Sequence, residues 1–437
     1  MFIFYNLLLA CVALISLPWW LFQMRLPKYR AGLRERLGSV PQRLSDARPG
    51  GIWMHAVSVG EVLAVGQLIV ELKNKYPDRQ VFISTTTATG QALARQRFGE
   101  DRVFFMPLDF GFAVRPYLQA LQPQLLVLAE TEFWPNLLHL AGKRGIAMAT
   151  VNARISDRSF PRYQRFRWFF RRVLSEMDLF LAQTTEDAER LRAIGAATER
   201  VRVSGNLKFD IRPGAELALV SDLRAAIPKS APVIVCGSTA EGEEEPLLEA
   251  FKTVQQQFPS AIMILAPRHP ERFEKVVALI SSAGITLQRR STWSASQLVV
   301  PGIFLLDSVG ELAAIYALAN IAFVGGSLVP TGGHNILEPA QYGAAIVVGP
   351  HTFNFREIVS LFEQGDAVKV VTAESIGPQL IALLCQPEER EALGRRAKNL
   401  FANHAGATRR TLEALSPLLI KHTQSSQPAA APKRDGQ

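Results

Sequence analysis

Cysteine is scarce in this chain of 437 residues. Its three cysteines, Cys11, Cys236 and Cys385, lie far apart and show no metal-ligand spacing. That argues against a disulfide framework and fits a reducing compartment. Neither a GxxxxGK[ST] phosphate loop nor a GxGxxG fingerprint occurs. No two aspartates are spaced D-x-D, so nothing indicates the usual metal bridge to a sugar nucleotide, and the seven histidines form no HExxH pair. Metal catalysis is therefore disfavoured. Charge of either sign is missing from Met1 to Met24.

That uncharged stretch, MFIFYNLLLACVALISLPWWLFQM, is long enough to cross a bilayer as a helix, for which about 20 residues suffice. Arg25, Lys28, Arg30, Arg34 and Arg36 follow, opposed only by Glu35, which predicts that the next part stays in the cytoplasm. Trp19 and Trp20 suit an interface. Two other readings stand beside a full crossing. One is a cleaved signal peptide, although a basic n-region and a small-x-small cleavage site are missing. The other, prompted by Pro18, is a helix that dips into one leaflet.

What is present is globular: 48% hydrophobic and 20% charged residues, a net charge of +9 and a pI near 9.6. The length calls for two or three domains. The basic balance favours an anionic partner without choosing among nucleic acid, membrane and phosphorylated substrate. From Gly51 onward, short apolar runs alternate with amphipathic stretches: GIWMHAVSV, QVFISTTTA, RVFFMPLD, QLLVLAETE and AMATVNA read as strands with helices between them. Continuous apolar strands of this kind belong to parallel sheets covered on both faces. The rhythm weakens over residues 211–231 and restarts with VIVCGSTA, AIMILAPRHP, GIFLLDSVG, IAFVGGS and AIVVGP. The expected organisation is an anchor at 1–24, a first α/β domain at 25–210, a linker at 211–231, a second α/β domain at 232–422 and a disordered tail at 423–437. Two doubly wound domains predict a cleft faced by strand C-terminal ends, where such sheets bind ligands.

Most of the unusual residues follow those strand ends. Glu61 comes directly after a Ser-Val-Gly turn, at the start of a helix. It is either a first-turn acid, favoured by the macrodipole by a few tenths to about 1 kcal/mol, or a general base that the helix terminus keeps ionised. Glu130 and Glu132 follow an apolar strand and would share one face if the strand continued, either as part of an ion pair or as functional acids. Lys208 is a candidate cation for either. Arg268 and His269 stand between prolines after another strand, where an arginine is either solvated or matched to phosphate. FVGGSLVPTGGHNILEPA carries two Gly-Gly pairs and then a helix expected to start near Asn335, an arrangement that can present amides to an anion. Glu338 in its first turn can accept from ribose hydroxyls, and His334 reads as a loop stabiliser. DSVGEL adds a second turn with free amides near Gly310 and Glu311. From Arg154 to Arg172, seven arginines and one aspartate are interleaved with Phe, Tyr and Trp. This is either a surface for anionic lipid or a helix whose arginines snorkel over a packed aromatic face.

Taken together, HAVSVGE, ETEFWPN, NARISDRS, GNLKFD, APRHPERF and FVGGSLVPTGGHNILEPA resemble the lipid A Kdo transferases (3-deoxy-D-manno-octulosonic acid transferases), in order and over most of the chain. The resemblance implies a GT-B fold of two Rossmann-like domains, CMP-Kdo as donor, and lipid IVA, a lipid A precursor, as acceptor. It implies inverting, metal-independent transfer without a cofactor, at the cytoplasmic face of a Gram-negative inner membrane and in contact with its lipids. It makes Glu61 the general base and assigns transition-state stabilisation to Glu130 and Lys208. CMP contacts fall on Arg268 and His269, on Val309, Gly310 and Glu311, and on Asn335, Ile336, Leu337 and Glu338. The motifs give nucleic-acid binding no support. The rival readings are another nucleotide-sugar enzyme on the same fold and a non-catalytic membrane-bound nucleotide sensor. A carboxylate kept ionised at a helix terminus is a weak base, so proton transfer is expected to be late and concerted with bond formation.

Overall fold

The computed structural model describes residues 2–23, 30–210 and 217–424. The chain divides into two compact units, residues 1–210 with 405–437, and residues 211–404.

The first unit is built on a seven-stranded, all-parallel sheet in the order β3-β2-β1-β4-β5-β6-β7. Its strands are β1 (Ile52–His55), β2 (Val81–Thr85), β3 (Val103–Phe105), β4 (Leu125–Ala129), β5 (Ala147–Ala153), β6 (Leu179–Ala182) and β7 (Val201–Val203). The first five are buried along their whole length because helices cover both faces. Alternation sends Trp53 to one core, with Phe82, Phe104 and Tyr117, and sends Ile52 and Met54 to the other, with Val62 and Leu68. Strand order reverses at β1, which pairs with β2 on one side and β4 on the other. Such a reversal opens a crevice at the strands' C-terminal ends.

The second unit repeats the plan with β10-β11-β9-β8-β12-β13-β14, again all parallel. Here the strands are β8 (Val233–Thr239), β9 (Ile262–Pro267), β10 (Leu287–Arg289), β11 (Gly302–Leu305), β12 (Ile321–Val324), β13 (Ala345–Val348) and β14 (Lys369–Val370). The reversal falls at β8, between β9 and β12.

Two expected boundaries are corrected. The second domain does not run to residue 422. The helix Ala407–Gln424 belongs to the first unit, where Leu415 and Leu419 join the core of Ile52 and Met54. Its free amides explain the attachment: Asp210 accepts from the backbone N of Gly406 at 2.5 Å and from that of Thr408, capping the helix from a distant part of the chain. The stretch 211–231 is not a plain linker either. Ala218–Ala226 is a helix that buries Leu219, Val220 and Leu223 in the second unit's core, while 211–216 lies outside the described residues. The expected anchor appears as the helix Phe2–Gln23; Met1 and Met24 lie outside the described residues, as does the tail from 425.

Candidate active site

In the first unit the chain leaves β1 and turns through Val57 and Ser58 into the helix Val59–Lys75. Ser58 caps that helix, accepting from Glu61 N at 3.5 Å. The Glu61 carboxylate folds back to accept from Val57 N at 2.8 Å and from Ser58 Oγ at 3.0 Å. This is a variant of the capping box, with the carboxylate reaching the amide one residue before the cap, and it fixes the rotamer of the candidate base. The turn is tied to the end of β2, since Thr86 N and Thr87 N donate to Val57 O at 3.1 and 3.0 Å. A Cβ on the exposed Gly60 would meet only Ser58 Oγ, at 3.9 Å, so the backbone is open to an approaching molecule there.

Glu61 departs from the expectation of a carboxylate held fully ionised. The residue is only 8% exposed, and burial is the largest influence, pushing its pKa up to about 7; Glu130 and Glu132 add to the rise, and the bonds from Val57 and Ser58 only partly oppose it. Desolvation outweighs the helix terminus, so Glu61 is not the pre-ionised weak base that its helix position implied.

The two acids in ETE do not share a strand face, because β4 ends at Ala129. Glu130 takes a left-handed conformation, φ 55°, which a residue with a Cβ adopts at a cost of roughly 1–2 kcal/mol. It is held there by its own N donating to Val151 O at 2.9 Å and by Thr150 Oγ1 donating to its O. Glu132 is pushed up by burial and then by Glu130, and Tyr163 by burial and then by Glu132. Three carboxyls thus lie within electrostatic reach of one another at the first sheet's reversal point. Lys208 sits on the short turn Leu207–Phe209, which packs against the helix that bears Glu61. Among the described residues it pairs with neither acid. Asn152, also left-handed at φ 55° and fully buried, positions that turn by accepting from Leu207 N at 3.0 Å.

His55 is fully buried at the end of β1, and burial lowers its pKa to about 4. Ser84 Oγ accepts from Trp53 Nε1 at 2.7 Å and lies 2.9 Å from His55 Nδ1. The ring is therefore neutral and, sealed from solvent, serves as a structural partner at the end of β1.

In the second unit Arg268 and His269 leave the end of β9 exposed, with Arg268 N bonded to Thr239 O at 3.0 Å. His334 is lowered to about 4 by burial and by Arg268 and His269, so it is neutral and faces both. Glu338 is raised by burial, with Asn335 and Arg268 opposing. These five residues are brought together. The helix expected to start near Asn335 is a single turn, Leu337–Ala340: Pro339 cannot donate back to Asn335 O, which keeps the start late, and Gly343, with φ 78°, turns the chain away after it. Ile336 and Leu337 are core residues, 1% and 0% exposed, so neither offers a surface to a ligand, and Leu337 N already donates to Asn335 Oδ1 at 3.1 Å. In the loop after β11, Val309 is exposed and Gly310 has φ 91°, but the Glu311 carboxylate is engaged by Arg290 at 3.1 and 3.2 Å.

Sequence reasoning passes over the residue that organises the glycine-rich loop after β12. Glu243 is fully buried and accepts from Ala240 N (2.8 Å), Gly326 N (2.7 Å), Ser327 N (2.9 Å) and Leu328 N (2.8 Å). Beside it, Glu244 makes a bidentate pair with Arg272, 2.8 Å on both arms. Gly325 is required as glycine, since a Cβ would stand 2.6 Å from Ser238 O and 2.9 Å from Glu243 Oε2. Glu243 lies in an acidic run, EGEEE, and its partners come from a loop far away in sequence, so neither residue type nor spacing marks it.

A family model described as 3-deoxy-D-manno-octulosonic-acid transferase (kdotransferase) matches residues 31–211. The 3-deoxy-D-manno-octulosonic acid transferase of Haemophilus influenzae is 36% identical over 96% of this chain and 99% of its own length. This chain belongs to the Kdo transferase family. The Bordetella pertussis member is 35% identical over 92% of this chain and 96% of its own length. Among solved structures, UDP-GlcNAc 2-epimerase from Neisseria meningitidis superposes with a TM-score of 0.52 at 14% identity, covering 84% of this chain and all of that one. That likeness concerns fold alone. The protein is thus a glycosyltransferase with two α/β units of the GT-B class, and the nucleotide-sensor reading gives way to an enzyme. Among the described residues no group of three or more His, Cys, Asp or Glu side chains is arranged to hold a metal.

Proposed function

We propose that this Kdo transferase moves Kdo from CMP-Kdo to a hydroxyl of lipid IVA, with inversion and without a metal or cofactor. The observation that carries the reading is the Glu61 carboxyl, fixed by two hydrogen bonds and raised to about 7. A base poised near the operating pH combines a useful ionised fraction with real proton affinity. Glu61 takes the acceptor proton as the oxygen attacks the anomeric carbon, and CMP departs from the opposite face. Proton transfer no longer has to be late, because the base is stronger than an ordinary carboxylate.

Arg268 supplies a planar donor fork to the departing phosphate, joined by the backbone amides of Gly332, His334 and Asn335, since those of Gly326, Ser327 and Leu328 are held by Glu243. Glu338 and Asn335 hold the ribose, His269 and the Val309–Glu311 turn complete the CMP contacts, and Glu130 and Lys208 stabilise charge near the reacting carbon. The N-terminal apolar helix attaches the enzyme to the inner membrane with its α/β units on the cytoplasmic face, which keeps the acceptor at high effective concentration.

The test is transfer assayed by both CMP release and Kdo-lipid formation, for wild type and Glu61→Gln. Wild-type transfer with a variant that binds CMP but transfers almost nothing is the expected outcome. A variant that transfers nearly as well reduces Glu61 to a helix-capping acid. A wild type that releases no CMP from CMP-Kdo removes the donor assignment.

A further inference from the structure

The helix Phe2–Gln23 is long and apolar enough to cross a membrane. Its contacts argue for a different placement. Two polar residues interrupt its apolar surface near one end, and both are engaged by the first α/β unit. Tyr5 OH donates to Asp109 Oδ2 at 2.9 Å, and Asn136 Nδ2 donates to Asn6 Oδ1 at 2.7 Å. Phe2 stacks on His139 with ring centroids 3.8 Å apart. The receiving carboxylate is rigid: Asp109 is 5% exposed and also accepts from Asn136 N at 3.0 Å and Leu137 N at 2.8 Å, capping the helix Pro135–Gly142. The helix residues of intermediate exposure, Phe2, Tyr5, Leu9 and Ser16, recur at spacings of three, four and seven, so one side alone is shielded.

The downstream flank returns to the same place. Glu35 Oε2 accepts from Phe105 N at 2.8 Å, and Arg36 O accepts from Leu108 N at 2.8 Å. Leu108 is the neighbour of Asp109. The first turns of the apolar helix and the segment around Arg36 beyond it are therefore fastened to adjacent residues of one loop, Asp109 and Leu108. A single crossing would hold them apart by the hydrocarbon thickness of about 30 Å, on opposite sides of the bilayer. Beside that loop lie exposed Phe112, at 62%, and, through the Tyr5–Phe169 contact of 6.0 Å, the arginine-rich helix with exposed Trp168, at 66%.

We propose that this helix is a one-sided anchor: clipped by Tyr5 and Asn6 to Asp109 and Asn136, it enters only the near leaflet of an anionic phospholipid membrane and leaves its N-terminal end on the same side as the α/β units. The proposal rests on the membrane attachment argued above and replaces a full crossing. The polar clip would be costly and pointless in a spanning helix, where Tyr5 and Asn6 would have to leave the unit that satisfies them. The exposed apolar residues on the helix's other sides supply the lipid-facing area, and the neighbouring arginines suit anionic headgroups.

The experiment uses the full-length enzyme with Cys11→Ala and Cys385→Ala and a short hydrophilic extension, bearing one cysteine, before Met1. A membrane-impermeant maleimide is applied to intact spheroplasts and to inverted inner-membrane vesicles. Labelling in inverted vesicles and none in spheroplasts is expected. Labelling in spheroplasts overturns the one-sided anchor while leaving membrane attachment intact. Sedimentation with the vesicles is scored in parallel, and a protein that stays in the supernatant removes attachment itself, a distinguishable failure. In the pair Tyr5→Phe with Asn6→Leu, which removes the clip and keeps the helix apolar, part of the population should become labelled from outside. A double variant labelled only from inside overturns the role of the clip.

Discussion

Glu61 in the first unit and Glu243 in the second are both buried carboxyls a few residues beyond the C-terminal end of a strand where the sheet order reverses. Their surroundings differ in the number of donors. Glu61 receives two hydrogen bonds, from Val57 N and Ser58 Oγ, and shares its neighbourhood with Glu130 and Glu132. Glu243 receives four, all from backbone amides. A carboxylate has about four lone-pair positions. Glu243 has each of them engaged by an amide, and it serves as a strut that shapes the glycine-rich loop. Glu61 retains capacity and sits among like charges, which is the condition for accepting a substrate proton. Burial alone separates neither role; the count and kind of donors does.

The largest expected break in the comparison is loss of the base. Glu61→Gln keeps an acceptor for Val57 N but cannot take a proton, so kcat should fall by roughly 10³-fold, within the usual range for a general base, while CMP affinity is unchanged. Steady-state transfer and CMP titration calorimetry check this together. The corresponding change in the second unit, Glu243→Gln, should act on the fold. It turns an amide group toward backbone N–H donors in a fully buried site, and about 3 kcal/mol of stability should be lost in urea denaturation, with weaker CMP binding as the loop loosens. If Glu243→Gln left stability and CMP affinity intact, the strut role would fall.

The same contrast has a pH signature of intermediate size. Glu61 titrates near 7 in the folded chain against an ordinary value of 4.5. The folded state therefore holds this proton more tightly than the unfolded chain. Its contribution to stability is fully present below pH 4.5 and is lost as pH rises through about 7. Relative to wild type, Glu61→Gln should gain stability over that window, by up to about 3 kcal/mol above pH 7, since each tenfold difference in proton affinity between the two states is worth about 1.4 kcal/mol. Thermal unfolding of both proteins at about pH 5 and about pH 8 measures the gap, and a gap that does not widen with pH would contradict the raised pKa.

Much of this was legible in the chain. The central strands announce themselves as unbroken apolar runs, and the residues at their ends include Glu61, Glu130, Arg268 and Glu338. What escapes a reading of the chain does so for physical causes. The strands β6, β7, β10 and β14 are short or lie toward sheet edges, with two to four residues each, too few to show a period. The final helix joins the first unit through Asp210, a partner too distant in sequence for the attachment to be read from the chain. The pKa of Glu61 is hidden because a helix-start position is visible in sequence and desolvation by a folded neighbourhood is not. Glu243 and Asn152 act through loops that exist only once the sheets have formed, so neither residue type nor spacing marks them.

The smallest effect tests whether the acids of the first unit act on one another. Glu130 raises Glu61 through its charge, second to burial among the influences that push upward. Replacing it by an uncharged isostere should leave the burial contribution in place and remove the repulsion. In Glu130→Gln the acid limb of the kcat/KM profile should therefore move to lower pH, by less than about one pH unit, whatever happens to the maximal rate. The limb belongs to a set of interacting carboxyls, so it is the displacement between variants that carries meaning, not its assignment to a single residue. Glu130→Asp keeps the charge and should keep the limb near its wild-type position, even if the strained φ of 55° and the shorter side chain lower the rate. If both variants shift the limb equally, geometry at the end of β4 sets the base. If only the neutral variant does, charge sets it, and the left-handed backbone at Glu130 serves to hold that charge where the base feels it.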